Sequence, residues 1–283
     1  MAWTKTYDQD EPQRINKWLA QSGVCSRREA EALIEKGQVS IDGQTVTEPG
    51  RKIATGETLT LNDAATHRLE NAITAVLNKP VDYVSAQPEH GQIPAARLVT
   101  QDNLVGQSSA IPTRDTRLAP VGRLDMDSRG LLLLTEDGVL TKAIIGPASQ
   151  SEKEYLVKVT GQITPQRISR LCHGIALDGR QLRPAKVTQE GPQDLRFILT
   201  EGRNRQIRRM CELVGLQVID LFRIRIGNVR IGDLPEGKWR ALTDKERDGL
   251  IRSGKGTDKG KPGSSAGRSQ PHRKRRSETR SQR

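Results

Sequence analysis

Val121-Gly-Arg-Leu-Asp-Met-Asp-Ser-Arg-Gly-Leu-Leu-Leu-Leu-Thr-Glu-Asp-Gly138 is the most strongly patterned stretch of the chain. Leu131–Thr135 is an apolar run of strand length and reads as a buried strand. Ahead of it, glycines flank a turn that holds two carboxylates, Asp125 and Asp127. Behind it, Gly138 opens a helix with Val139, Leu140, Ala143 and Ile144 inward, closed at Gly146-Pro147.

The pattern continues towards the C-terminus. Tyr155–Val159 alternates as a strand, and Thr164-Pro165 is an N-cap followed by proline at the first helical position. That helix buries Ile168, Leu171 and Cys172. Leu195–Thr200 reads as a further strand. In Arg205–Val214, Ile207, Met210, Cys211 and Val214 recur at helical spacing, and Gly215 ends the run. Val218–Ile226 reads as a strand in which Phe222, Ile224 and Ile226 alternate with Arg223 and Arg225. Thr243–Ile251 reads as a short helix. Upstream, Ala75–Asn78 reads as a strand ended by Lys79-Pro80, and Ser85–Pro120 as a long loop of functional length. Strands and helices mix without strict βαβ regularity, so the class is α+β.

The N-terminal part has its own pattern. Ile15, Trp18 and Leu19 share one face of a short helix, and Gly23 ends it. Ser26-Arg-Arg-Glu29 is a capping box, starting a helix that runs to about Lys36. Val39–Ile41, Asp42-Gly43 and Thr45–Val46 read as a hairpin, with short strands at Ile53 and Leu59–Leu61. Arg14, Lys17, Arg27, Arg28 and Lys36 are too many for the inner face and must lie outside. The boundaries are 12–62 for this module, 63–70 for a polar linker, 71–251 for the larger domain and 252–283 for a basic tail.

The chain has 283 residues and a net charge of +12, pointing to a polyanionic partner. Eleven Arg and Lys against two acids give Arg252–Arg283 a net +9, leaving +3 for residues 1–251. The tail lacks large apolar residues and reads as a disordered arm that neutralises phosphates. No run approaches the ~20 apolar residues of a membrane span, and the polar N-terminus reads as no signal peptide. Three scattered cysteines fit a reducing cytoplasm better than a disulfide framework or a thiolate zinc site. Four widely spaced histidines, and the absence of phosphate-cradling and G-x-S-x-G motifs, weigh against zinc, P-loop, dinucleotide and serine-hydrolase chemistry. The candidates left are Asp125 and Asp127. Side chains of such residues commonly bond their own turn. A D-x-D pair can also hold a metal, though no second acidic cluster supplies further ligands. A third reading is a metal-free catalytic Asp acting as nucleophile or base. Spacing leaves all three open.

Gly122-Arg-Leu-Asp-Met-Asp-Ser-Arg-Gly-Leu-Leu-Leu-Leu-Thr135 resembles the catalytic motif of the pseudouridine synthases, in the RsuA branch. Leu77-Asn-Lys-Pro80, Glu152-Lys-Glu-Tyr-Leu-Val157 and Glu201-Gly-Arg-Asn-Arg-Gln-Ile-Arg-Arg-Met-Cys211 resemble that family in the same order. Arg14-Ile-Asn-Lys-Trp-Leu, Gly23-Val-Cys-Ser-Arg-Arg-Glu-Ala and Ile34-Glu-Lys-Gly-Gln-Val-Ser-Ile-Asp-Gly43 resemble the S4 RNA-binding domain, which usually precedes the catalytic domain in this branch. Arg223-Ile-Arg-Ile-Gly-Asn-Val and Gly237-Lys-Trp-Arg-Ala-Leu-Thr-Asp244 are most similar to RluF-type members acting on 23S rRNA. The resemblance spans about Pro12–Ile251. Asp82 departs from it, standing where the family usually has Gly, and the Ser85–Pro120 loop is longer than usual.

The resemblance implies an S4 module followed by a pseudouridine synthase fold, with a mixed, mainly antiparallel sheet and flanking helices. It implies cofactor-free, metal-free isomerisation of uridine in ribosomal RNA, most directly 23S, by a cytoplasmic enzyme. Asp125 matches the family's catalytic Asp, Tyr155 the aromatic that stacks on the flipped uracil, and Arg208 the basic partner of the Asp. Asp127 is left to hold the turn. Arg205, Arg208 and Arg209 are expected on one exposed helix face. Arg203, Arg205 and Arg123 are expected on phosphates, and Arg14, Lys17, Arg27 and Arg28 on structured RNA. No apolar stripe is left over, so a monomer is expected.

Overall fold

The computed structural model describes residues 2–113, 116–173 and 175–254. Of the basic tail, Arg252–Gly254 belong to the last helix, which therefore extends past the expected end at Ile251. The rest of the tail lies outside the described residues.

The N-terminal module forms as its caps and apolar spacing dictate. A strand, β1 (Trp3–Thr6), precedes helices α1 (Ile15–Gln21) and α2 (Arg27–Glu35). The capping box at α2 is complete: Ser26 accepts from the Glu29 N–H and Glu29 accepts from the Ser26 N–H. Strands β2 (Val39–Ile41), β3 (Gln44–Thr45) and β4 (Thr58–Leu61) follow, and β1 pairs with β4 to complete a four-stranded sheet. The apolar faces of both helices close on Trp18, Leu33, Ile34, Leu59 and Leu61.

Residues 63–70 are not an irregular linker. They form helix α3 (Asp63–Glu70), capped by Asn62, whose side chain accepts from the Ala65 N–H. Ala65 is buried in the module's core and Leu69 packs against it. The helix is thus an appendage of the first module, held to it through Ala65 and Leu69.

The second domain is built on a nine-stranded sheet. Its main strands are β5 (Thr74–Lys79), β6 (Arg129–Thr135), β7 (Lys153–Thr160), β8 (Lys186–Gly191), β9 (Asp194–Leu199), β10 (Gln217–Ile226) and β11 (Trp239–Ala241). The spatial order is β8-β9-β7-β10-β6-β5-β11, and these pairings are antiparallel except β6 with β10. That one parallel contact joins only Arg129–Gly130 to Phe222–Arg223.

Helices cover both faces. Leu132 and Leu134 face a core shared with α5 (Pro165–Cys172) and α6 (Gln206–Leu213). Leu131 and Leu133 face a second core with α4 (Gly138–Ile145) and α7 (Asp244–Gly254). Burial on both faces explains why β6 reads as an unbroken leucine run rather than an alternation. The α4 start is capped twice over. Asp137 accepts from Val139 and Leu140 N–H, and Glu29 of the first module accepts from Gly138 N–H at 3.3 Å.

Candidate active site

The loop between Val121 and Gly130 is held by backbone hydrogen bonds at Arg123, Leu124, Met126 and Asp127. The Ser85 hydroxyl donates to Leu124 O at 2.6 Å, and the Leu124 N–H returns a bond to it at 2.9 Å. The Asp82 N–H donates to Met126 O at 2.9 Å. Arg223 donates to Arg123 O and Leu131 O, and Arg208 to Asp127 O at 2.7 Å. Such fixation before substrate arrives is what positions a reacting group cheaply. Asp82 has φ +67°, the left-handed region that glycine favours. Asp is among the few other residue types that tolerate it, so the departure from glycine preserves the turn.

Lys79, fully buried, ties the next segment in place by donating to Pro80 O at 2.7 Å and Tyr83 O at 2.9 Å. Burial pushes its ammonium down to about 8, against the pull of the Asp127 and Asp125 carboxylates.

This loop forms one wall of a cleft of about 710 Å³. Asp125, Tyr155, Arg208, Arg123, Arg203 and Arg205 all line it. The sequence-predicted catalytic trio and its three nearby arginines are therefore brought together from three separate segments. Arg14, Lys17, Arg27 and Arg28 are elsewhere: they lie exposed on or beside the first two helices, without an ion pair among the described residues.

The arginines of α6 do not share an exposed face as their spacing implied. Arg205 is the residue before the helix, held left-handed at φ +47°. From there its guanidinium reaches Asp127 at 3.0 Å and Asp125 at 3.8 Å. Backbone strain of this kind, stored where a side chain must be aimed, is common at functional sites. Arg208 is buried instead of exposed, because the 127–128 turn lies over the helix side opposite its apolar stripe. It contacts the Asp127 carboxylate at 3.2 Å and Ser128 Oγ at 3.2 Å. Arg209 pairs with Asp178 at 2.6 Å and Arg203 with Glu201 at 3.6 Å. The carboxylate bound by Arg208 is thus Asp127, and the guanidinium nearest Asp125 belongs to Arg205.

Asp127 holds two arginines rather than only its own turn. Burial pushes its carboxyl up, but the Arg205 hydrogen bond and the Arg208 and Arg205 charges outweigh that and hold it below the usual carboxylate range. A depressed folded value stabilises the fold above the unfolded pKa of ~3.9 and loses that contribution as pH falls through the folded value. The stability gap between the wild type and Asp127→Asn is therefore expected to shrink between about pH 7 and about pH 3, measured by urea unfolding. An unchanged gap would contradict the pairing.

Sequence reasoning missed Lys153, Arg183 and Arg223, which line the same cleft. Arg223 is 3% exposed and stands directly opposite Tyr155 in the β7–β10 pairing. The alternation in β10 signalled two distinct faces, and both turned out to be covered. Among the described residues, no group of three or more His, Cys, Asp or Glu is placed to hold a metal ion. No helix among them is long and apolar enough to cross a membrane.

Chemically, the cleft offers two carboxylates, Asp125 and the Arg203-paired Glu201, a buried aromatic ring, and an excess of fixed cations. That suits a polyanion carrying a planar group, with a base or nucleophile aimed at it. Comparison with known proteins agrees. Residues 73–213 match the RNA pseudouridylate synthase family and residues 13–59 the S4 domain. The chain is 39% identical over 245 residues to the dual-specificity RNA pseudouridine synthase RluF of Escherichia coli K12, covering 86% of this chain and 80% of that one. It is 35% identical over 240 residues to the ribosomal large subunit pseudouridine synthase B of Bacillus subtilis, covering 83% and 93%. A crystal structure of a pseudouridylate synthase superposes with a TM-score of 0.58 at 26% identity, covering 84% of this chain and 99% of that one. The chain belongs to the RNA pseudouridine synthases of the RsuA type, isomerases that carry an S4 domain ahead of the synthase domain.

Proposed function

We propose that this enzyme converts a specific uridine of 23S ribosomal RNA to pseudouridine, working as a monomer in the cytoplasm, with Asp125 as its catalytic carboxylate. The observation that carries the reading is the meeting of Asp125 and Tyr155 in one cation-lined cleft. The large-subunit enzyme among the relatives supports the choice of RNA.

The reaction breaks the bond from ribose C1′ to uracil N1, turns the base and rejoins it through C5. A base inside a helix must first leave its stack, at a cost of about a few kcal/mol. Stacking on Tyr155 returns ~1–3 kcal/mol of this. Asp125 then stabilises an electron-deficient C1′ or removes the C2′ proton. Arg205, shared with Asp127, keeps the Asp125 carboxylate oriented and accompanied by positive charge. Arg123 and Arg203 lie at the cleft wall to hold phosphates, as does Arg205 on its exposed side.

The test is incubation of the protein with unmodified 23S transcript, followed by carbodiimide adduct mapping and primer extension, with and without EDTA. A new adduct stop is expected in both arms. No stop on 23S but one on 16S would move the target; no stop on either would overturn the reading.

The exposed cations of the S4 module serve as phosphate contacts in this account. Arg27→Gln with Arg28→Gln is expected to weaken RNA binding and reduce the salt slope by about one unit per lost contact. Turnover at saturating RNA stays near that of the wild type. A fall in saturating turnover with an unchanged salt slope would place those residues elsewhere.

A further inference from the structure

The guanidinium of Arg223 is bound on only part of its perimeter. Its Nε donates to Leu131 O at 2.7 Å and its Nη1 to Arg123 O at 3.4 Å. Its Nη2 is buried without a hydrogen-bond partner. A buried cationic N–H left unsatisfied is costly, and proteins rarely keep one without a use. This one belongs to a residue on the cleft wall, which points to an acceptor that arrives with the substrate.

The position narrows the acceptor. Arg223 and Tyr155 face each other across the two strands, so their side chains share one face of the sheet. The Arg223 Cζ lies 5.9 Å from the Tyr155 ring centroid. A base stacked on that ring brings its edge, not a phosphate, beside Arg223. The Lys153 ammonium lines the same cleft and donates to Ile144 O at 3.2 Å. Burial, then the charges of Arg223 and Arg183, push it down to about 8, so anything anionic arriving there is favoured.

Building on the isomerisation reading, we propose that Arg223 Nη2 binds a carbonyl oxygen of the target uracil, and that Arg223 and Lys153 together stabilise the base while it is detached from ribose. Heterolysis of the C1′–N1 bond leaves the electron pair on N1, spread over the two carbonyl oxygens. The matching deficit at C1′ is met by Asp125. Joining C5 to C1′ cancels that charge; C5 then gives up its proton and N1 takes one up, so the product base is neutral. Fixed cations therefore interact more strongly with the detached base than with bound uridine, which lowers the barrier rather than tightening ground-state binding.

The test replaces the mapped target uridine alone with 2-thiouridine or 4-thiouridine, since sulfur is a poor acceptor. The wild-type single-turnover rate at saturating RNA is expected to fall roughly 10- to 100-fold on one of the two analogues. Arg223→Gln is expected to be slower by a similar factor on unsubstituted RNA, with KM within about twofold, and to lose the discrimination. Equal wild-type rates on uridine and both analogues would overturn the proposal, leaving Arg223 as a brace for Arg123 and Leu131. Full activity of the variant would overturn it too. If the variant does not fold, the wild-type comparison decides alone. If the wild type makes no pseudouridine in unsubstituted RNA, the isomerisation reading falls and takes this proposal with it.

Discussion

Asp125→Asn is expected to lower the rate of pseudouridine formation on the order of 10³-fold or more while leaving RNA affinity within about twofold. The amide keeps the size of the carboxylate but has neither its charge nor its basicity. It can neither trap an electron-deficient C1′ nor accept a C2′ proton. Binding is spared because the cations that hold RNA, apart from Arg205, make no contact with this side chain. Arg205 stays anchored by its shorter 3.0 Å contact with Asp127, so the cleft keeps its shape. Single-turnover kinetics and filter binding on the same preparation check both halves. Residual activity within about tenfold of the wild type would remove Asp125 from the central role.

Gly130→Ala is expected to destabilise the protein by about 3–5 kcal/mol, from backbone strain together with overpacking. Gly130 has φ +105°, and an added Cβ would lie 2.4 Å from Arg223 O and 2.7 Å from the Phe222 ring. This is the point where β6 touches β10, so neither strand can yield without opening the sheet. The melting temperature should fall by roughly 10 °C. The displaced strand carries Arg223, so activity should fall even at temperatures where the variant is folded. Gly50→Ala, where an added Cβ meets nothing within 4 Å, is the matched control and should be nearly neutral. Equal melting temperatures for the two variants would contradict this account of the strand contact.

Local signals were readable from sequence, and contacts between distant segments were not. The leucine run of β6, the caps at Ser26 and Thr164, the α4 start at Gly138, and the apolar stripe of α6 are set by neighbours a few residues apart. Each appeared where the spacing predicted. Helix α3 was missed because its buried side is made of Ala65 and Thr66, too small to register as a stripe. Strand β1 was missed because it exists only through pairing with β4, more than fifty residues later.

The same divide runs through the site. Asp125 and Tyr155 stood in recognisable motifs. The burial of Arg208 depends on a loop from eighty residues earlier covering the polar side of its helix. The pairing of Tyr155 with Arg223 depends on a register shift between Glu154 and Tyr155 that no periodicity reveals. Charge counting pointed to nucleic acid from the tail, whereas the cations lining the cleft belong to the nearly balanced part of the chain.

Release of tritium from 23S rRNA labelled at C5 of uridine tests the central claim most directly. Joining C5 to C1′ must expel the hydrogen that C5 carried, so release reports the isomerisation itself rather than binding. The wild type is predicted to release tritium to a plateau set by the number of mapped target sites, with or without EDTA, and Asp125→Asn to remain at background. Background release by the wild type, or equal rates for the two proteins, would contradict the account.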